Sequence, residues 1–222
     1  TPFTVVISGG ATPTPTPTTI TCTNDPVGSR ITVGANTYLV VEDGDGENGI
    51  KNATNMENLS SGTVKFCTSH VTDMSALFFG ATTFNQPIGN WDTSKVTNMA
   101  LMFLRAITFN QPIGNWDTSE VTIMTSMFNN AAAFNQPIGN WDTSKVTYMT
   151  LMFNNAAVFN QPIGNWDTSK VTTMDGMFQN TENFNQDLST WNVTSVTDNT
   201  DFNLDANASW VANSAYQPNF TP

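Results

Sequence analysis

The sequence predicts an α/β repeat fold of stacked coils, each holding one short strand and one or two helical turns, with caps at both ends. Three observations predict it. First, Trp91, Trp116, Trp141, Trp166 and Trp191 recur at 116 − 91 = 25 residues. At such periods, neighbouring units share one continuous core. Second, one unit reads Ile88-x-x-Trp91-x-Thr93-x-x-Val96-x-x-Met99-x-x-Met102-Phe103-x-x-Ala106-x-x-Phe109. Its core-type residues step by two around the tryptophan and by three or four afterwards, which is strand spacing followed by helical spacing. Third, Asn110, Gln111, Pro112, Ile113, Gly114 and Asn115 form a Pro/Gly return loop that recurs with the same period.

Residues 1–10 carry a short β-type run over 3–7, in which Phe3, Val5 and Ile7 share one face and a Gly pair ends the run. A lone strand needs a partner sheet. This one is expected to be the last strand of a preceding domain or an assembly strand donated to a neighbouring molecule. Residues 11–19 alternate Pro and Thr and read as a semi-rigid linker, with Thr12, Thr14, Thr16 and Thr18 as O-glycan candidates by composition.

Residues 20–66 form the expected N-terminal cap. Two short strands flank Gly34, Ala35 and Asn36 as a hairpin, and residues 52–59 suit a short helix. Asp43, Asp45 and Glu47 have the spacing of a calcium loop. However, Asn48 and Thr54 stand where an EF-hand loop needs Gly and Glu, so a plain acidic turn is the favoured reading and calcium the alternative. Cys22 and Cys67 are read as a disulfide stapling this cap, against two buried thiols, and neither has metal-type spacing.

The repeats run over residues 67–198, and within each the expected strand covers the equivalent of 90–94, with Trp91 and Thr93 inward and Asn90 and Asp92 outward. The last unit departs from the pattern. Asp187, Leu188, Ser189 and Thr190 replace Pro, Ile, Gly and Asn, and Asn199 replaces Met, as a terminal unit requires. Residues 199–222 then supply a C-terminal cap around Phe202, Trp210 and Phe220.

The run Ile-x-x-Trp-Asp-Thr-Ser-x-Val-Thr-x-Met-x-x-Met-Phe-x-x-Ala-x-x-Phe over residues 67–198 resembles the repeat of BspA-like leucine-rich-repeat surface proteins. Its preceding Phe-Asn-Gln-Pro-Ile-Gly-Asn block is similar to repeats of bacterial surface lipoproteins. The resemblance implies a right-handed leucine-rich-repeat solenoid, an extracellular location, an adhesion or surface-scaffold role, and no catalytic residues.

Seven Lys and Arg against eighteen Asp and Glu give a net charge of −11, which argues against nucleic acid and anionic membrane surfaces. No apolar run reaches the ~20 residues of a membrane span, and a signal peptide is missing, so the chain reads as mature or as a fragment. Asp92, Asp117, Asp142 and Asp167 recur on the outward phase beside Asn90, Asn115, Asn140 and Asn165. These columns could hold a row of cations or a polysaccharide. The blander reading, which is favoured, has each Asp accepting hydrogen bonds within its own turn. No cofactor is implied, calcium being the one ion left open. The expected function is a non-enzymatic surface adhesin module or fibre subunit, self-associating or joined to neighbouring domains of a larger surface protein.

Overall fold

The structure, a computed structural model, describes residues 18–220. The assembly strand of Phe3, Val5 and Ile7 and the glycan candidates Thr12, Thr14 and Thr16 lie outside these residues; Thr18 is described and exposed.

A three-stranded sheet opens the chain. β1 (Arg30–Val33) pairs antiparallel with β2 (Asn36–Glu42), which pairs parallel with β3 (Lys65–His70). Strand alternation divides β2 between two cores. Tyr38 and Val40 pack with Cys22 and Cys67, whereas Leu39 and Val41 join the main core. The two cysteines form a disulfide with Cα atoms 6.3 Å apart, tying the incoming chain to β3. Between β2 and β3, α1 (Ala53–Ser60) starts at Asn52, whose side chain accepts the Thr54 and Asn55 N–H groups. Leu59 and Met56 of this helix pack on the core.

The 25-residue units follow, and here the expected α/β leucine-rich-repeat solenoid is overturned. Among the described residues, strands are confined to β1, β2 and β3. The helices are α1, α2 (Ala208–Ala212) and a single 3-10 turn, Ser214–Tyr216. No unit carries a strand over the equivalents of 90–94, and none carries helical turns over 99–106. The units contact as strands only through single parallel bridges, Asp73 with Asn98, then Ile123, Tyr148, Thr173 and Asp198 in succession.

The physical reason lies in the backbone. Leu101 and Arg105 both take positive φ, at 61°, and so do Ser126 and Asn130, and Leu151 and Asn155. A left-handed residue at every fourth position forbids a continuous right-handed helix. The 3–4 spacing therefore reports a chain of tight turns. Phe103, for example, donates its N–H to Met127 of the next unit, while Leu104 bonds back to Leu101 within its own.

Packing holds the units in register. Trp91, Trp116, Trp141, Trp166 and Trp191 stack with ring centroids 6.3–6.5 Å apart and planes within 7° of parallel. Phe103, Phe128 and Phe153 stack at 5.5–5.6 Å. Both columns fall in the favourable range for offset aromatic pairs. Met99, Met102, Val96 and Ile113 and their equivalents in the next three units fill the remaining interior and are buried. At the C-terminal end Trp210 of α2 closes the column, lying edge-on to Phe184 at 4.7 Å and donating its indole N–H to Gln186 O at 2.8 Å.

Candidate functional surface: the Asp, Asn and Thr columns

The repeated motif spends most of its polar groups on the neighbouring unit. Asn85 Oδ1 accepts the N–H of Asn110 at 3.0 Å and the side-chain amide of Gln111 at 3.1 Å. Asn110, Asn135 and Asn160 do the same for the units after them. The indole N–H groups of Trp116, Trp141, Trp166 and Trp191 donate to Ile88, Ile113, Ile138 and Ile163 carbonyls at 3.1–3.2 Å. Buried Thr93, Thr118, Thr143 and Thr168 donate hydroxyls to the backbone carbonyl of the following unit's Asp117, Asp142, Asp167 and Asn192, each at 2.9 Å. These bonds satisfy backbone groups that a chain without regular strands leaves open.

Glycine has a steric role in the same motif. A Cβ on Gly114, Gly139 or Gly164 would lie 2.2, 2.4 or 2.6 Å from the carbonyl oxygen of Pro137, Pro162 or Asp187. The units approach so closely at this loop that no side chain fits.

The acidic column divides into two kinds of site. Asp92 is buried and receives Ser69 Oγ at 2.6 Å, Ser94 Oγ at 2.7 Å and Ser94 N at 3.2 Å. Burial pushes its pKa up, but the Ser69 and Ser94 hydrogen bonds outweigh that and hold it below the ordinary carboxylate value. Asp117, Asp142 and Asp167 are exposed, and each accepts the N–H of the serine two residues on, at 2.9–3.0 Å. The Ser144 and Ser169 bonds lower the pKa of Asp142 and Asp167, and the charge of Asp167 opposes this at Asp142. The column thus caps turns while keeping a row of charged carboxylates on the surface.

The asparagine column is mixed. Asn90 donates to the Tyr38 hydroxyl and Asn115 to the Gly89 carbonyl, while Asn140 and Asn165 stand exposed.

The threonine column ends on a residue that the sequence placed elsewhere. Thr97, Thr122, Thr147, Thr172 and Thr197 each donate both N–H and hydroxyl to the carbonyl of the threonine one unit back. Thr72 has no such predecessor. Asp43 takes that place, its Oδ1 accepting Thr72 N at 2.8 Å and Asp73 N at 2.9 Å, and its Oδ2 accepting the Thr72 hydroxyl at 2.5 Å. Asp43 therefore terminates a hydrogen-bond ladder, and among the described residues it forms no metal-holding cluster with Asp45 and Glu47. Only the start of the threonine column at Thr72 hinted that the cap must supply an acceptor.

The arrangement defines a repeat protein whose chemically capable side chains join one unit to the next. Residues 48–150 and 137–215 match the family described as Mycoplasma protein of unknown function, DUF285, and the chain belongs to it. No curated protein and no solved structure matches the chain. Among the described residues no helix is long and apolar enough to cross a membrane.

Proposed function

We propose that the protein is a non-catalytic, extracellular repeat module that acts as a surface adhesin or as the subunit of a surface fibre. The observation that carries this reading is the use of the invariant motif. Most of its Asn, Gln, Thr and Trp groups are engaged between units, so the repetition builds a body of stacked units and does not assemble a reactive cleft. The resemblance of the repeat to BspA-like surface proteins and the Cys22–Cys67 disulfide, a bond of oxidising compartments, support a place outside the cell. Fibre formation would use Phe3, Val5 and Ile7 as the strand that a neighbouring subunit takes up. Gold-labelled antibody on intact producing cells tests the location, and electron microscopy of the same cells tests for filaments. Label that appears only after the cells are opened would sink the reading.

The exposed row of Asp117, Asp142 and Asp167 favours a second reading, a module for calcium or polysaccharide. Titration calorimetry with calcium and a panel of neutral and basic polysaccharides decides it. Absence of heat, together with an unshifted melting temperature, counts against that reading alone.

A further inference from the structure

The two ends of the unit stack carry opposite halves of one hydrogen-bond ladder. Inside the molecule, the N–H groups of Met99, Leu101, Phe103 and Arg105 donate to the carbonyls of Ile123, Thr125, Met127 and Asn129 at 2.9–3.0 Å. The same phase runs on until Met174, Gly176, Phe178 and Asn180 donate to Asp198, Thr200, Phe202 and Leu204 at 2.7–2.9 Å. There the series stops. The N–H groups of Asn199, Asp201, Asn203 and Asp205 hold the donor phase, and among the described residues no backbone carbonyl takes them up. At the other end Ser75, Leu77 and Phe79 hold the acceptor phase, and among the described residues no preceding unit donates to them.

The caps cover the core ends, and at the C-terminal end Gln217, Pro218 and Phe220 border residues 199–204, with Gln217 accepting the Asn203 side-chain amide at 3.0 Å and the backbone donors left unbonded among the described residues. Leu59 and Trp210 plug the interior, whereas Ala76, Phe79 and Gly80 are exposed at one end and Asn199, Asp201, Leu204 and Asp205 at the other. Phe79, Leu104, Asn129, Asn154, Gln179 and Leu204 occupy one column of the stack. Its first and last members are bulky, apolar and exposed, at 55% and 44%, where three of the four between them are amides. Asp198, Asp201 and Asp205 crowd the C-terminal edge, and Asp175 behind them has its pKa raised, first by burial and then by Asp198 and Asp201. At the N-terminal edge Lys51 is already paired with Asp73 at 2.9 Å and bonded to Ser75 at 3.1 Å, and the exposed Arg105 stands one unit in.

We infer that residues 199–205 take up residues 73–80 of a second copy of this chain, so that the internal ladder continues from molecule to molecule. Leu204 then lies against Phe79, as Leu104 does within the chain. The donors of Asp201, Asn203 and Asp205 meet the carbonyls of Ser75, Leu77 and Phe79, and Arg105 is the cation nearest to the acidic edge. An unpaired row of backbone groups is a ready template for pairing. Because the two joined surfaces differ the contact is heterologous, and because it repeats the step of the stack, whose tryptophan planes stay within 7° of parallel, it propagates as an open filament and not as a ring. This deepens the fibre reading and rests on it, naming the partner as a second copy and the joint as the ends of the unit stack in place of the Phe3, Val5 and Ile7 strand.

The test uses the full-length chain and two exposed substitutions, Phe79→Arg to block one end and Leu204→Arg to block the other. Thermal melting first establishes that both variants fold like the parent. In sedimentation velocity the parent is expected to give a rising series of end-to-end oligomers with concentration, and each variant alone a monomer. An equimolar mixture of the two should give dimers and nothing larger, since only one open pair of ends remains. A mixture that stays monomeric while the parent assembles overturns the inference, as does assembly of either variant at the parent's level. A parent that is monomeric throughout overturns it too. Filaments on cells producing Phe79→Arg would keep the fibre reading and reject this joint, whereas parent protein labelled only in opened cells rejects the reading itself.

Discussion

Replacing Gly139 with alanine tests whether unit-to-unit contact is what the repeated glycine serves. The new Cβ would sit 2.4 Å from Pro162 O and 3.6 Å from its carbonyl carbon. Non-bonded heavy atoms prefer about 3.5 Å or more, so the Pro162 carbonyl must withdraw by about 1 Å. That carbonyl belongs to the return loop of the next unit, which is fixed by the bonds of Asn160 and Gln161 to Asn135 and of Trp166 to Ile138. Withdrawal strains those bonds together, and overpacking of this kind costs about 1–3 kcal/mol. We expect a loss near the top of that range, about 3 kcal/mol, read from the midpoint of urea unfolding followed by tryptophan fluorescence. Gly46→Ala is the control, since its Cβ would meet nothing within 4 Å, and it should change stability by less than about 0.5 kcal/mol. A Gly139→Ala protein within about 0.5 kcal/mol of the parent, at unchanged slope, would refute the reasoning.

Three other outcomes follow from the same geometry. Trp141→Phe keeps an aromatic ring in the column but leaves the buried Ile113 carbonyl without its 3.1 Å donor; a loss of about 2 kcal/mol is expected by denaturation, and no loss would mean the indole N–H is dispensable. Asp43→Ala removes the acceptor of three donors at the head of the threonine column. It should cost about 1 kcal/mol, as loss of a helix cap does, with hydrogen exchange accelerating at Thr72 and Asp73 before Thr122. Asp92 has a folded pKa below its ordinary 3.8. Its carboxylate therefore stabilises the fold above that value, and this contribution is lost as the pH falls through the lower folded pKa. Asp92→Asn should flatten stability between pH 4 and lower values, and an unchanged acid limb would contradict that assignment.

The sequence made the period and the inward set of side chains legible. Trp91, Met99, Met102, Phe103 and Phe109 are all buried with their apolar equivalents, because hydrophobic periodicity reports which residues share a face. It did not make the local backbone legible. Spacings of three and four fit helical turns and successive tight turns equally well, and they are told apart by φ at Leu101 and Arg105. Neither is the glycine or asparagine that would announce a left-handed residue. The aspartate column was legible as turn-capping from its Asp-x-Ser spacing, since Asx turns are local. Asp43 was not, because its partners at Thr72 and Asp73 are 29 and 30 residues away and the match is made by the cap's path.

The close approach at Gly114, Gly139 and Gly164 is nearly the same at each joint, and so are the tryptophan and asparagine bonds around it. A block of 25 residues can therefore be removed or duplicated between the ends, and every surviving joint meets the surface it met before. Such a protein changes length by whole numbers. Unequal exchange between near-identical copies would give longer and shorter chains with every joint of the same kind and both capped ends untouched.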